Sequence, residues 1–506
     1  KEAGLAGPRP RGRILDTQSA AMPTLPSDAQ TLLHAPLSLV DELFAASGSG
    51  ALHTGASVHI GEALTEALNA GARSVIPSLN AVRPEHVEMG ALVRLVGMVQ
   101  DVRDPEYYAG VYEEFSQDGQ VALRTSKYRD ARALPPGAHC QMRNDCIWQR
   151  TPVVCIPIPA RTDWAAAAII GEVSEGAPSA ACKMPSTTLK RAAEASEDSD
   201  DAGVAVDDDA MEDDTSTTKK PRAPDVCTPC KSASAETAFA RSAPVHGSYL
   251  LKVYDGVDGD ELRVNDLVEI YGVLDLNDND APVLDGDASM LDSERQLQPP
   301  ASLQPRLHCV AVRRLEPKFH PLLATVDSRE EALALEGARA NVTELRGAVV
   351  SAFTSVLGGD ALAAELMLLC AISRVLTHHG EMPLGKLTLN VSACPPAAGA
   401  PRSPVFDGIR ETLSALFPFV SSAILTINEL NTAAYVPAKD HDANCLRFGA
   451  LQLPAGAALL VDETTLAPGQ LKEAGVRNVG ALSQLCSKQK LAFDFTYCAV
   501  EFAADV

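Results

Sequence analysis

Between residue 171 and about residue 245 the chain loses all hydrophobic periodicity, and that gap constrains what the rest can fold into. The stretch is rich in Ala, Ser, Pro, Thr and acidic residues, and Glu194 to Asp214 hold eleven acidic side chains and no basic one. A segment of this kind cannot bury enough apolar surface to offset the entropy of ordering it. Residues 171–245 therefore read as a disordered acidic insertion between two β-rich stretches. Almost half of the net charge of −23 sits there. The acidic run reads first as a solvated tract, and more sharply as a docking site for a basic partner.

Before the insertion, strand character appears in Ala91 to Val102, Glu106 to Phe115, Val121 to Asp130 and Trp148 to Pro159. The prolines of the last stretch place it at a sheet edge. Gly97 inside the first marks a bulge or sharp bend. After the insertion, Ser248 to Gly256, Glu261 to Leu276 and Arg306 to Leu315 also read as strands, with a tight Asn265-Asp266 turn and a bend at Gly272. Glycines let strongly curved strands turn corners in five-stranded OB barrels. One reading is a single OB-like β-barrel in two halves (76–170 and 246–317); the alternative is two unrelated β units. Short amphipathic helices are expected at 38–47 and 60–71, within a helical segment 31–75 that follows a disordered N-terminal extension 1–30. Structured patterning first appears after Met22, which reads as a native start with residues 1–21 as a leader.

From His320 the pattern alternates helix and strand, the mark of an α/β domain (318–506). Helices are expected at 328–337, 341–356, 360–378, 405–416 and 478–489, and strands at 387–393, 423–428 and 457–462. A length of 506 residues fits two to four domains. No apolar run reaches the about 18–20 residues needed to span a bilayer, since Glu365 and Arg374 break the best candidate. Twelve scattered cysteines suit a reducing compartment better than a disulfide framework. No basic stripe of the kind that grips nucleic-acid phosphates is visible, so direct nucleic-acid binding is not expected.

Residues Gly380 to Leu387, GEMPLGKL, fall one side chain short of a phosphate-binding loop. Leu387 stands where a magnesium-binding hydroxyl is needed. The flanking pattern runs helix–loop–strand, so no helix N-terminus faces a phosphate. Ala457 to Glu463, AALLVDE, has the form of a Walker B strand. Asp462 and Glu463 serve equally well as the polar exit of a buried strand, with Thr464 and Thr465 as cap residues. Cys227 and Cys230 form a lone CxxC, half of a usual zinc set. His378 and His379, as neighbours on a helix, point about 100° apart and make poor joint ligands. No catalytic, cofactor or metal site is expected. Lys219, Lys220, Pro221 and Arg222 form a short basic cluster of the nuclear-import type, and Ser196 and Ser199 lie in an acidic context suited to phosphorylation.

Several long segments carry a resemblance. They include HAPLSLVDELFAASG, Ser78 to Glu113, KYRD (Lys127 to Asp130), LLKVYDG…LRVNDLVEIYGVL, Pro299 to His308, Leu357 to Val375, Glu381 to Pro395 and Val436 to Leu471. Together they resemble the minichromosome maintenance (MCM) complex-binding protein family, from about residue 31 to the end except for the insertion. The resemblance implies a nuclear, non-catalytic partner of MCM replicative helicase subunits. The implied roles are assembly or protection of subunits, removal of the complex from chromatin, and sister-chromatid cohesion. It also implies that the C-terminal part is a degenerate relative of the helicase's AAA+ domain, and that the family continues past Asp494 to Phe502. The expected fold class is thus α+β and multidomain: an OB-like barrel interrupted by the acidic insertion, then a degenerate AAA+-like α/β domain. The expected partner contacts are the polar and aromatic stretches around Asp104, Pro105, Tyr107, Tyr108 and Tyr112, and around Lys439, Asp440 and Asn444. The rival readings are an active AAA+-type ATPase and an OB-fold single-strand nucleic-acid binder.

Overall fold

The computed structural model describes residues 27–47, 58–116, 119–130, 138–143, 145–170, 247–254, 262–277, 299–315, 336–392, 394, 403–441 and 445–506. The acidic insertion, the basic cluster Lys219 to Arg222, Ser196, Ser199, Cys227, Cys230, Asn444 and the N-terminal residues through 26 lie outside the described residues. The fold is mixed α and β.

Three helices come first, α1 (Ser27–His34), α2 (Pro36–Ser47) and α3 (Gly61–Asn69). The first begins inside the segment expected as an extension. Pro36 opens α2, where a missing N–H costs nothing because first-turn amides have no helical partner. The strands that follow are β1 (Leu92–Val102), β2 (Glu106–Ala109), β3 (Val111–Phe115), β4 (Val121–Thr125), β5 (His139–Met142) and β6 (Ile147–Ile156), and then helix α4 (Asp163–Ile170). After the insertion come β7 (Tyr249–Tyr254), β8 (Leu267–Asp275) and β9 (Arg306–Arg314).

Five of these strands pair in a closed circuit, β1–β8–β9–β7–β6–β1, with β2 added on β6. Only the β7–β9 pairing in the circuit is parallel. Strands on both sides of the insertion thus share one sheet, and the reading of two unrelated β units is set aside. Val93, Leu95, Val99, Cys155, Leu251, Val268, Ile270 and Cys309 form one core cluster from these strands. The opposite side of β1 is buried too, by Val96 and Met98 packed with Phe419 and Leu453 of the C-terminal part. A strand covered on both sides needs apolar residues at nearly every position, which is why LVRLVGMV departs from strict alternation.

Two expectations for this sheet need correction. Glu106 to Phe115 is not one strand: β2 pairs with β6, whereas β3 belongs to a separate three-stranded sheet, β4–β3–β5, and the chain turns at Gly110. A Cβ on Gly110 would fall 2.0 Å from the Trp148 ring, so glycine lets the indole pack against the backbone. Nor is β6 an edge, since it pairs with β1, β2 and β7. Pro152 is tolerated because it sits where β6 changes partner from Glu106 of β2 to Val102 of β1. Its carbonyl accepts from Arg103 N at 3.0 Å on that side, and the missing N–H faces the gap between the two ladders.

The C-terminal part contains α5 (Val342–Val356), α6 (Ala361–Ile372), β10 (Thr377–His379), β11 (Met382–Leu384), α7 (Pro404–Leu416), β12 (Val420–Ile424), α8 (Ile427–Thr432), β13 (Ala438–Asp440), β14 (Cys445–Arg447), β15 (Ala458–Asp462), α9 (Glu473–Lys488), β16 (Lys490–Asp494) and β17 (Ala499–Ala503). Asp360 caps α6 and Ser403 caps α7 through side-chain acceptance of first-turn amides. Strands β12 and β15 run parallel; β14, β13, β16 and β17 form a second sheet. The helix expected to reach residue 378 ends at Ile372, so His378 and His379 lie on a strand, paired with Pro383 and Met382. Residues 387–393 form no strand among those described. The segment GEMPLGKL is the turn and second arm of a β-hairpin, with Gly380 and Gly385 at positive φ.

Candidate partner-binding surface

Strand β1 departs from its ladder with β6 between Val99 and Asp101, leaving Gln100 as the extra residue. A bulge bends a strand and re-aims its side chains. Here it points Gln100 and Asp101 at β14. Gln100 Nε2 donates to Leu446 O at 2.9 Å, and Leu446 N donates to Asp101 Oδ2 at 3.1 Å. Lys439 Nζ lies 3.9 Å from the same carboxylate. Of the residues singled out from sequence, Lys439 takes part in this junction, through Asp101 three positions before Asp104.

The junction separates the predicted residues by role. Asp104, Pro105 and Tyr107 are exposed, Tyr107 at 54%. Tyr108 and Tyr112 are core residues, Tyr108 only 3% exposed, and offer a partner no surface. The alternation of β2 is the cause: Glu106 and Tyr108 point inward, so Tyr107 must point out. Across the junction Lys439 and Asp440 are half-buried, and Asp440 accepts from Arg447 Nε at 2.9 Å. Beyond them the His441 and Tyr497 rings lie 5.5 Å apart, and Tyr497 is almost wholly exposed.

Strand β2 is held by a buried ionic network that sequence inspection did not single out. Glu106 Oε1 accepts from Arg150 Nε at 2.6 Å and from Lys252 Nζ at 2.8 Å. Arg150 Nη2 also donates to Asp130 Oδ1 at 2.6 Å, and its guanidinium stacks over the Tyr108 ring at 4.8 Å. Arg306 Nη1 reaches Asp130 Oδ2 at 3.4 Å. His308 Nδ1 lies 2.7 Å from Tyr254 Oη, and its Nε2 faces Asp275 Oδ2 at 3.5 Å. Burial alone would raise the Glu106 carboxyl, but Arg150 and Lys252 hold it down at about 2. Burial likewise opposes ionised Asp130, yet Arg150, Lys252, His308 and Arg306 keep its carboxyl well below the usual range. Burial drives His308 below the ordinary imidazole range, with Arg150 adding to the effect.

Asp130 ends the KYRD segment, and its neighbours explain that segment's placement. Tyr128 is fully buried at positive φ, and its hydroxyl lies 2.5 Å from His59 Nδ1. Arg129 Nη2 donates to Asp41 Oδ1 at 2.6 Å, tying α2 to the sheet. Asp130, Asp275 and His308 could together hold a metal by distance alone. The charges argue otherwise. Three carboxylates (Glu106, Asp130, Asp275) already face the Arg150 and Arg306 guanidiniums and the Lys252 amine, so a divalent ion would add further positive charge to a buried cluster already supplied with cations.

The remnants of nucleotide-site pattern are also placed. Lys386 Nζ lies 3.2 Å from Asp505 Oδ1, engaged as an ion pair. Asp462 is buried at the end of β15, where Oδ1 accepts from Thr464 N at 2.9 Å and Thr464 Oγ1 at 2.6 Å; this is a turn and not the helix cap expected from sequence, since the next helix begins only at Glu473.

No helix among the described residues is long and apolar enough to cross a membrane. The model of the family described as mini-chromosome maintenance replisome factor matches residues 64–506. A mini-chromosome maintenance complex-binding protein of Salmo salar is 33% identical over 464 residues, covering 86% of this chain and 70% of that protein. Proteins of the same name from Homo sapiens (31% identical; 85% of this chain, 71% of that protein) and Arabidopsis thaliana (30%; 86% and 70%) are similar to it at nearly the same level. The match runs through the circuit of strands, the junction and the C-terminal part alike, and the chain belongs to this mini-chromosome maintenance complex-binding protein family.

Proposed function

We propose that this chain is a non-catalytic, nuclear binding protein for subunits of the MCM complex, acting in their assembly or protection and in removal of the complex from chromatin during replication and sister-chromatid cohesion. The observation that carries the binding role is the family match over residues 64–506, with relatives from fish to plant that bear the name complex-binding protein. The contacts in this reading are the exposed Asp104, Pro105 and Tyr107 and the half-buried Lys439 and Asp440. In this reading the circuit of five strands is an OB-like barrel; its order and its one parallel pair support that. The C-terminal part is read as a degenerate AAA+-like domain, in which a parallel strand ending in Asp462 is retained.

A binding role rather than nucleotide turnover is favoured by what occupies the would-be phosphate loop. It is a hairpin whose lysine is taken by Asp505, and residues 386–392, where a helix should follow, form no regular element. The proposal is tested by incubating the purified chain with individually purified MCM subunits and measuring capture, alongside nucleotide hydrolysis. Capture of at least one subunit with no turnover above buffer is expected. Failure to capture any of them, or hydrolysis at enzyme-like rates, overturns it.

A further inference from the structure

On the outside of the strand circuit, three guanidiniums converge on one buried carboxylate. Glu269 of β8 lies opposite Arg313 of β9 and opposite Val96 of β1, two positions after Arg94. Paired residues and second neighbours along a strand share a face, here the one opposite the core residues Val93, Leu95, Val268 and Ile270. Arg94 Nε donates to Glu269 Oε1 at 2.7 Å, and Arg313 Nη2 donates to Oε2 at 2.5 Å. Arg73, in the short helix Ala72–Ser74, donates through Nη2 to Oε1 at 2.6 Å, and Tyr271 Oη donates to the same oxygen at 3.3 Å. Burial alone would raise the Glu269 carboxyl, but Arg94, Arg313 and Arg73 hold it below the usual range. The carboxylate is therefore ionised, and both of its oxygens are occupied.

The charges of this cluster do not balance. Arg94 and Arg313 alone outnumber the carboxylate they share, and among the described residues neither pairs with another acid. The Arg94 side chain is only 3% exposed; its Nη1 donates to Ile169 O at 3.1 Å, and its Nη2 has no hydrogen-bond partner among the described residues. A buried guanidinium that shares its counter-charge stays costly until another anion approaches. Arg313 is 51% exposed, so its remaining N–H groups meet water. From this surplus we infer an oxyanion-binding site on the β1–β8–β9 face, with Arg313 as the outer ligand and Arg94 supplying charge from beneath, for a phosphate-type group. The inference is independent of the MCM-binding reading. Guanidinium forks match phosphate oxygens in geometry. A tetrahedral phosphate also meets N–H groups arriving from different elements, whereas the two oxygens of a carboxylate lie in one plane.

The test titrates inorganic phosphate, and separately acetate, into the full chain at about 50 mM salt, where screening is weak, and reads binding by calorimetry. The same titrations are run on Arg313→Gln and Arg313→Lys, with circular dichroism as the check on folding. Because Arg313 is half exposed, both variants should fold as the wild type; the lysine variant serves if the glutamine variant does not. Saturable phosphate binding by the wild type is expected, weakened about tenfold or more by Arg313→Gln and less by Arg313→Lys, with acetate binding more weakly than phosphate. A short phosphoserine peptide separates the sources of the group. Tighter binding than phosphate assigns the site to a phosphorylated side chain, and equal or weaker binding assigns it to free phosphate. Absence of saturable binding by the wild type, or binding unchanged in both variants, overturns the inference. Acetate bound as tightly as phosphate overturns it as well.

Discussion

Replacing Arg150 with Met removes the centre of the buried network while keeping an unbranched apolar stem. The guanidinium pairs with Glu106 and Asp130, each at 2.6 Å, donates to Tyr254 Oη at 3.2 Å, and stacks on Tyr108. Breaking a buried pair by deleting one partner costs about 3–5 kcal/mol, because the remaining charge stays buried without compensation. Two carboxylates would be left here, which argues for the upper end. Lys252 remains 2.8 Å from Glu106 and 3.5 Å from Asp130, and Arg306 remains near Asp130, which argues for the lower end. The expected loss is therefore about 3 kcal/mol, a large part of the about 5–15 kcal/mol typical of a folded domain. Urea denaturation followed by circular dichroism would measure it. A second variant separates charge from packing: Glu106→Gln in the Arg150→Met background removes one of the stranded carboxylates and should recover about 1 kcal/mol or more. A loss below about 1 kcal/mol for Arg150→Met, or further loss in the double variant, would refute the view that these charges compensate one another.

Acidification should destabilise the chain in two windows. His308 has a folded pKa below its unfolded value, so its contribution is present above the unfolded value near 6.5 and is lost as pH falls below it. Glu106 follows between 4.5 and about 2, where the loss reaches about 3 kcal/mol; a melting temperature unchanged from pH 7.5 to 5 would contradict the first assignment, and one unchanged from pH 5 to 2 the second. Gly272→Ala should cost about 1–3 kcal/mol, since the new Cβ would lie 2.8 Å from His308 O at the β8–β9 irregularity; an unaltered denaturation midpoint would show the strands can part freely. Tyr107→Ala should leave stability within about 0.5 kcal/mol of wild type yet reduce capture of an MCM subunit; equal capture would remove this face from the interface.

Local signals were legible where local physics decides. Apolar spacing located α2, α3, α5 and α7 to within about two residues. Strand patterns and the glycines at 97 and 272 marked the curved sheet: a Cβ on Gly97 would fall 2.8 Å from Ile156 O, so close strand approach requires glycine there. The same local signal misled where two structures share a pattern. An apolar stretch continuing from Ala361 past Ile372 looks helical throughout, yet the chain extends at Ser373 and pairs as a hairpin. Prolines marked β6 as an edge, because the change of partner strand that excuses Pro152 depends on where β1 ends and β2 begins.

Residue order alone determined the family and most of the helices, because each depends on side-chain identity over short windows. Tertiary structure alone decided that Asp101 and Leu446 meet, that Tyr107 faces water while Tyr108 is core, and that Glu106, Asp130, Arg150, Lys252 and His308 share one buried network. Those residues stand far apart in the chain, and a lone charged residue in sequence looks solvated. Their partners, and hence their ionisation, exist only once strands β2, β6, β7 and β9 are brought side by side.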